Sequence, residues 1–303
     1  MARPRLILLV RHGESKGNAD KSVNQYIPNH KVPLTEDGHI QAHEAGIQLK
    51  EYLKEDDSIC FYTSPYLRTR QTMAGIMEEI EDLGLKQRVY EEPRMREQDF
   101  GNFQGTPEEM KEIWIERARY GHFFYRIPHG ESAADVYDRC SSFNETLFRQ
   151  FSRDDFPSVL VLVTHGIWAR VFLQKWFRWS VEYFEALQNV PHCSWIVLEK
   201  ESNDRYKLKT RLAKWCDLDS DEEEEKHIKE DFKREIKDCG IEDTDGSVTE
   251  TVVTALEEQA KKSRLIRKMF NFKGSQALAD DECNSGDDAH DDDAVRTRPK
   301  LAA

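Results

Sequence analysis

The chain has 303 residues, 38% of them hydrophobic, which is enough for one large or two ordinary domains with a real core. Its net charge of −13 is uneven: residues 1–215 hold 30 Lys and Arg against 32 Asp and Glu, and residues 216–303 hold 14 against 25. Neither part offers the basic face of a nucleic-acid binder, and no apolar run is long enough to span a membrane. The six cysteines, Cys60, Cys140, Cys193, Cys216, Cys239 and Cys283, include no C-x-x-C pair. They imply a reducing compartment without a disulfide framework, and Cys60 reads as a small buried hydrophobe. The expected location is the cytoplasm, with the nucleus as a second compartment.

The first element is the unbroken apolar run from Leu6 to Val10, which stops at Arg11-His12-Gly13. Such a run reads as a strand covered on both faces, the central kind in a parallel sheet. Ligand crevices in these sheets lie just beyond the carboxyl ends of the strands. That puts Arg11 and His12 at a candidate phosphate site, with His12 as candidate nucleophile. Residues 16–34, broken by Pro28 and Pro33, read as a long functional loop. Thr35 is a plausible N-cap for an amphipathic helix to about Leu53. Ser58 to Thr63 reads as a short strand, and Ser64-Pro65 begins a helix carrying Arg68, Arg70 and Thr72. A strand is expected over Gln87 to Glu91 and a helix over Pro107 to Tyr120. An aromatic loop follows from Gly121 to Gly130, then a helix to Phe151 capped by Ser132. Ser158 to Thr164 is a second unbroken strand, ending at His165-Gly166, with a helix to about Phe177. Ser194 to Lys200 and Tyr206 to Thr210 close the pattern as an edge pair. After Trp215 the composition is too polar to order itself by burial, and residues 216–303 are expected to be an acidic, largely disordered tail. Ser220, among acidic neighbours, marks a possible modification or partner-binding segment there.

Two buried strands that each end in His-Gly are the central feature. On neighbouring parallel strands they would share one crevice. A metal site would need further ligands at close spacing, and His39 and His43 have no partner set, so neither metal nor cofactor is expected.

Four ordered motifs carry a resemblance. Arg11-His12-Gly13-Glu14-Ser15-Lys16-Gly17-Asn18 is the first and Ser64-Pro65-Tyr66-Leu67-Arg68-Thr69-Arg70-Gln71-Thr72 the second. The third is Glu97-Gln98-Asp99-Phe100-Gly101 with Gly105, and the fourth Val163-Thr164-His165-Gly166. Over roughly residues 4–200 the chain resembles the histidine phosphatase superfamily, the phosphoglycerate-mutase-like family, in its phosphatase branch. The resemblance implies a three-layer αβα sandwich with a mainly parallel sheet over about residues 1–215. It implies that His12 becomes phosphohistidine, that Arg11, Arg68, His165 and Asn18 hold phosphoryl oxygens, and that Glu97 serves as proton donor. Asp99 is the weaker rival for that role. Ser15 and Gly166 are further candidate contacts, with backbone N–H groups after Gly13 and Gly166 expected to face the anion. Glu14 reads as loop support and Arg70 as a solvated helix residue. Tyr125 and Arg126 are candidate specificity residues or simply loop packing.

The chemistry agrees with these roles. Phosphoryl transfer needs positioning and charge neutralisation, and Arg offers a planar fork of fixed donors. The mutase-type stretch after the Asn is absent here, since Asn18 is followed by Ala19 to Tyr26, which favours hydrolysis. The expected activity is therefore metal-independent hydrolysis of small-molecule phosphate monoesters. A phosphoglycerate-type mutase and a catalytically idle interaction module of the same fold are the alternatives.

Overall fold

The computed structural model describes residues 3–214. The expected tail over residues 216–303, with Ser220, Cys216, Cys239 and Cys283, lies outside the described residues.

A six-stranded sheet organises the chain, in the order β3-β2-β4-β1-β5-β6. Its strands are β1 (Leu6–Arg11), β2 (Ser58–Thr63), β3 (Lys86–Glu91), β4 (Val159–Thr164), β5 (Trp195–Lys200) and β6 (Tyr206–Leu208). The first four are parallel; β5 and β6 run antiparallel and close one edge, as the pattern after Ser194 predicts.

Each apolar run alternates between two cores, because successive side chains in a strand face opposite ways. Leu6, Leu8 and Val10 of β1 join Val159, Val161 and Val163 of β4 in one core. That core is covered by Ala42, Ala45 and Leu49 of α3 (Glu36–Tyr52) and Ile76 of α4 (Leu67–Glu79). Ile7 and Leu9 join Leu160 and Leu162 on the other face. There they meet Val136, Cys140, Phe143 and Leu147 of α6 (Ala133–Phe151) and Trp168 and Phe172 of α7 (Gly166–Phe177). The three layers follow from these two faces.

The caps act as the sequence implies. Thr35 Oγ1 accepts from Gly38 N (3.0 Å), and Ser132 Oγ accepts from Asp135 N (3.2 Å). The helix from Pro107 to Tyr120 (α5) matches its expected bounds. Cys60, Cys140 and Cys193 are free and buried, and burial pushes each thiol up to about 12, leaving them inert. No helix among the described residues is long and apolar enough to cross a membrane.

Two stretches differ from the sequence reading. Residues 16–34, expected as a loop, contain α1 (Lys16–Ala19), α2 (Val23–Tyr26) and a 3-10 turn (Asn29–Lys31). A six-residue helix, α8 (Val181–Ala186), precedes β5. These pieces are too short to show a helical period or to be stable alone, and tertiary contacts hold them. Lys16 N donates to Pro33 O (2.9 Å), and Leu34 N donates to Gln71 Oε1 (2.9 Å) on α4.

The turn after β1 packs directly on the start of α3. A Cβ on Gly38 would run into the carbonyl of Glu14, and one on Gly13 would run into the carbonyl of Gly38. Both obstacles are backbone, which cannot swing aside as a side chain can. Gly38→Ala is expected to cost roughly 1–3 kcal/mol through this overpacking, read as a lower melting temperature. A variant melting with the parent would show that the turn yields freely.

Candidate active site

β1 and β4 are paired in register from Leu6 opposite Val159 to Arg11 opposite Thr164. His12 and His165, the next residue on each strand, therefore emerge side by side. His12 N extends the ladder by donating to Thr164 O (2.9 Å). The first long helix after each strand, α3 after β1 and α7 after β4, covers the opposite face of the sheet from the other. Adjacent strands whose connections part in this way bind ligands at their carboxyl ends, and both histidines stand at that end, buried at 4% and 0% exposure.

Hydrogen-bond partners assign the state of each ring. His12 Nδ1 lies 2.7 Å from Gly13 O, a pure acceptor, so Nδ1 carries the proton. Its Nε2 accepts from Arg68 Nε at 3.0 Å and keeps the lone pair. His165 Nδ1 accepts from Arg68 Nη2 (3.3 Å), so its Nε2 donates to Ser64 Oγ (2.9 Å). Arg68 completes its fork through Nη1, which donates to Asn29 O (2.7 Å) and Asn29 Oδ1 (2.9 Å). The two imidazole centroids stand 5.1 Å apart. Tyr66 flanks the cluster, with its ring 5.0 Å from His165 and the same distance from the Arg68 guanidinium.

Electrostatics keep these imidazoles neutral. Burial, then the charge of Arg68, then His165, His192 and Arg11, push His12 well below the ordinary histidine range. Burial and Arg68 act likewise on His165. Burial also presses Arg68 down to about 10, which still leaves it cationic at neutral pH. The result is one deprotonated nitrogen and a fixed guanidinium at the same point, which suits attack on an anionic electrophile.

Arg11 ends β1, directly before His12. Its Nη1 donates to Val190 O (2.8 Å), while its buried Nε has no hydrogen-bond partner among the described residues. A Cβ at Gly166 would lie 3.6 Å from that Nε, which places Gly166 beside the guanidinium. Glu97 reaches the site from the segment after β3. Its Oε1 accepts from Gln98 N (3.1 Å) and Trp168 N (3.2 Å), and its Oε2 from Ile167 N (3.3 Å). The carboxylate thus occupies the N-terminal end of α7, directly after His165.

That arrangement corrects one expectation. The backbone N–H groups following Gly13 and Gly166 are used internally. Gly13 N donates to Thr72 Oγ1 (3.0 Å), Glu14 N to Gln41 Oε1 (2.8 Å), and Ile167 N and Trp168 N to Glu97. The helix start that a phosphate would favour already holds a carboxylate, so side chains must carry the anion.

Ser15 and Asn18 are tied to each other. Ser15 N and Oγ both donate to Asn18 Oδ1, at 3.1 and 2.7 Å, leaving the Asn18 amide N–H groups as its remaining donors. Ser15 Oγ is thus spent on positioning Asn18. Glu14 supports the loop, accepting from Thr35 Oγ1 at 2.9 Å. Arg70 is paired with Glu91 at the surface. Tyr125 and Arg126 pack within their own region, on Glu116 and Asp135 respectively. Asp99 Oδ1 accepts from Gly101 N (2.9 Å), a turn-forming bond rather than a contact with the histidines.

Several neighbours of the cluster went unread in the sequence. His192 Nδ1 lies 2.8 Å from His12 O and its ring is 5.4 Å from that of His12. It sits before β5 and has no local pattern to mark it. Asn29 belongs to the two-proline segment and meets Arg68 only through tertiary folding. Ser64 and Tyr66 did carry a signal, since both lie within the second motif.

The sequence matches the histidine phosphatase superfamily (branch 1) over residues 7–212. The chain belongs to that superfamily. It is 42% identical to a protein of Saccharomyces cerevisiae named broad-range acid phosphatase DET1, an alignment covering 73% of this chain and 93% of that one. It is 44% identical to the phosphoglycerate mutase-like protein AT74H of Arabidopsis thaliana, covering 67% of this chain and 76% of that one. Among solved structures, a mycobacterial glucosyl-3-phosphoglycerate phosphatase in complex with VO3 shares the fold. Its TM-score is 0.53 at 24% identity, covering 69% of this chain and 99% of that one.

The sign of the histidine shifts is directly measurable. As pH falls through about 6.5, where free imidazole gains its proton, ring NMR signals of His12 and His165 are expected to stay those of neutral rings. Titration of either ring at the ordinary value would mean that Arg68 does not bridge them in solution.

Proposed function

We propose that the protein is a metal-independent phosphatase that hydrolyses phosphate monoesters through a phosphohistidine on His12. One observation carries the reading. His12 presents a deprotonated Nε2 to the same guanidinium that binds His165, with its proton parked on the far nitrogen against Gly13 O.

In the first step Arg68 exchanges its bonds to the two imidazoles for bonds to phosphoryl oxygens. His12 Nε2 then attacks phosphorus as the ester P–O bond breaks. Glu97, in its acid form, gives its proton to the departing alkoxide and is left as the carboxylate. In the second step Glu97 takes a proton from water, the water oxygen attacks phosphorus and the P–N bond breaks. Orthophosphate leaves and the His12 lone pair is restored. Arg11 and Arg68 supply the positive charge opposite the equatorial oxygens, the main task in phosphoryl transfer. His165, a neutral ring, contacts one of them as a donor once its ring proton moves from Nε2 to the Nδ1 that Arg68 vacates. The Arg11 Nε, which has no partner among the described residues, is a ready donor for another of these oxygens. The two guanidiniums supply the positive charge that a metal supplies elsewhere.

Three further points support hydrolysis of varied esters. The superfamily membership fits it, and so does the name of the 42% identical relative. The third is the run Ala19 to Tyr26 after Asn18, which lacks a mutase-type recognition stretch.

Rapid quench with substrate labelled in the phosphoryl group is expected to leave label on His12, in an acid-labile, alkali-stable bond. His12→Ala should abolish both label and turnover, and Glu97→Gln should slow turnover on alkyl phosphates by about 10²–10⁴. Label on another residue would remove the mechanism. With phosphoglycerates, released orthophosphate rather than an isomeric ester is the expected product.

A further inference from the structure

The crossover between β3 and α6 contains an ion pair that none of the chemistry above uses. Arg139 on α6 and Glu131 just before it have side chains only 10% and 15% exposed. Arg139 Nε and Nη2 donate to the two Glu131 carboxylate oxygens at 3.1 and 2.9 Å. The rest of the fork addresses main chain. Nη1 donates to Arg94 O and Arg96 O, both at 2.7 Å, and Nη2 donates to Glu97 O at 3.0 Å.

Glu131 grips the same segment from the other side. Its carboxylate accepts from Asp99 N (3.1 Å) and Arg96 Nη2 (2.6 Å). Its backbone N donates to Asp99 O (2.8 Å), and its carbonyl accepts from the buried Gln98 Nε2 (2.7 Å). Gly130 allows this approach, because a Cβ there would run into Asp99 O. Every residue from Arg94 to Asp99 except Met95 is therefore bonded to Arg139 or Glu131. Met95 O is held instead by Thr164 Oγ1 (3.1 Å), at the end of β4. By contrast, among the described residues the Glu97 carboxylate is retained by three longer bonds from backbone N–H groups, 3.1 to 3.3 Å. The position of that carboxylate relative to His12 is thus set by its main chain, and the main chain by the ion pair.

We propose that Arg139 and Glu131 act as positioning residues for proton transfer, holding the Glu97 carboxylate at the height of the ester oxygen. The proposal rests on the acid–base role of Glu97 given above. Arginine is required for its geometry. Five donors in one plane reach three carbonyls and a carboxylate together, which a lysine ammonium cannot do. Neither residue touches the phosphoryl group, and Arg139→Lys keeps the positive charge that Arg139 directs at His165, so phosphate recognition by Arg11 and Arg68 should be preserved.

The experiment compares two esters through kcat/KM, which reports steps up to phosphoryl transfer onto His12. Glycerol phosphate needs a proton on its leaving oxygen, whereas p-nitrophenyl phosphate does not. Arg139→Lys and Glu131→Gln are each expected to lower kcat/KM for glycerol phosphate by about tenfold or more. They should leave p-nitrophenyl phosphate and the inhibition constant for orthophosphate within about threefold of the parent. Glu97→Gln, measured alongside, should show the same selectivity more strongly. An equal loss on both esters, or no loss, in a clamp variant with parental circular dichroism overturns the proposal while a selective Glu97→Gln keeps the acid–base reading. A Glu97→Gln variant that loses both esters equally overturns the acid–base reading, and the clamp proposal falls with it. If Arg139→Lys does not fold, the near-isosteric Glu131→Gln decides between the same outcomes.

Discussion

The in-register pairing of β1 with β4 is the constraint on which the rest depends. A slip of one residue would turn every side chain of a strand to the other face and separate the two imidazoles. That slip is blocked because both faces of both strands are buried. Leu6, Leu8 and Val10 cannot trade places with Ile7 and Leu9 without emptying two cores at once. The hydrophobic core therefore acts as the ruler of the site. The parting of α3 and α7 to opposite faces then opens the space that those two strand tips share.

Placing Arg68 between two buried histidines is unfavourable for the folded state alone. The guanidinium gives up water and, among the described residues, is bonded to no carboxylate; it meets imidazole nitrogens, a carbonyl, an amide oxygen and the Tyr66 ring. Glu97 opposes this from a distance, as a charge that favours the cationic form of Arg68. Proteins keep such electrostatic tension where function needs it and offset it elsewhere. Here the offset lies in the two apolar cores and in tight glycine contacts such as Gly38 against Glu14.

Much of this was legible in the residues themselves. Two Ile/Leu/Val runs, each stopped by His-Gly, announced central parallel strands, and the register made their tips neighbours. Thr35 and Ser132 marked helix starts because their hydroxyls cap the third residue of the helix. What stayed hidden depended on contacts distant in sequence. Asn29 and His192 lie in segments without periodicity, and only the packed structure brings them to Arg68 and His12. The one-turn helices α1 and α2 are too short to leave a pattern. The expectation of backbone anion donors after Gly166 failed because the Glu97 carboxylate, 69 residues earlier in the chain, claims those N–H groups. Linear reading finds a helix start but not its occupant.

The desolvated guanidinium has a further consequence for the working cycle. On the proposed chemistry each turnover ends with orthophosphate in the same cradle that admitted the ester, and Arg68 cannot distinguish the tetrahedral oxyanion it receives from the one it releases. Throughput then answers to the surrounding pool of inorganic phosphate. On that chemistry orthophosphate and ester compete for one cradle, so product restrains turnover without a second site.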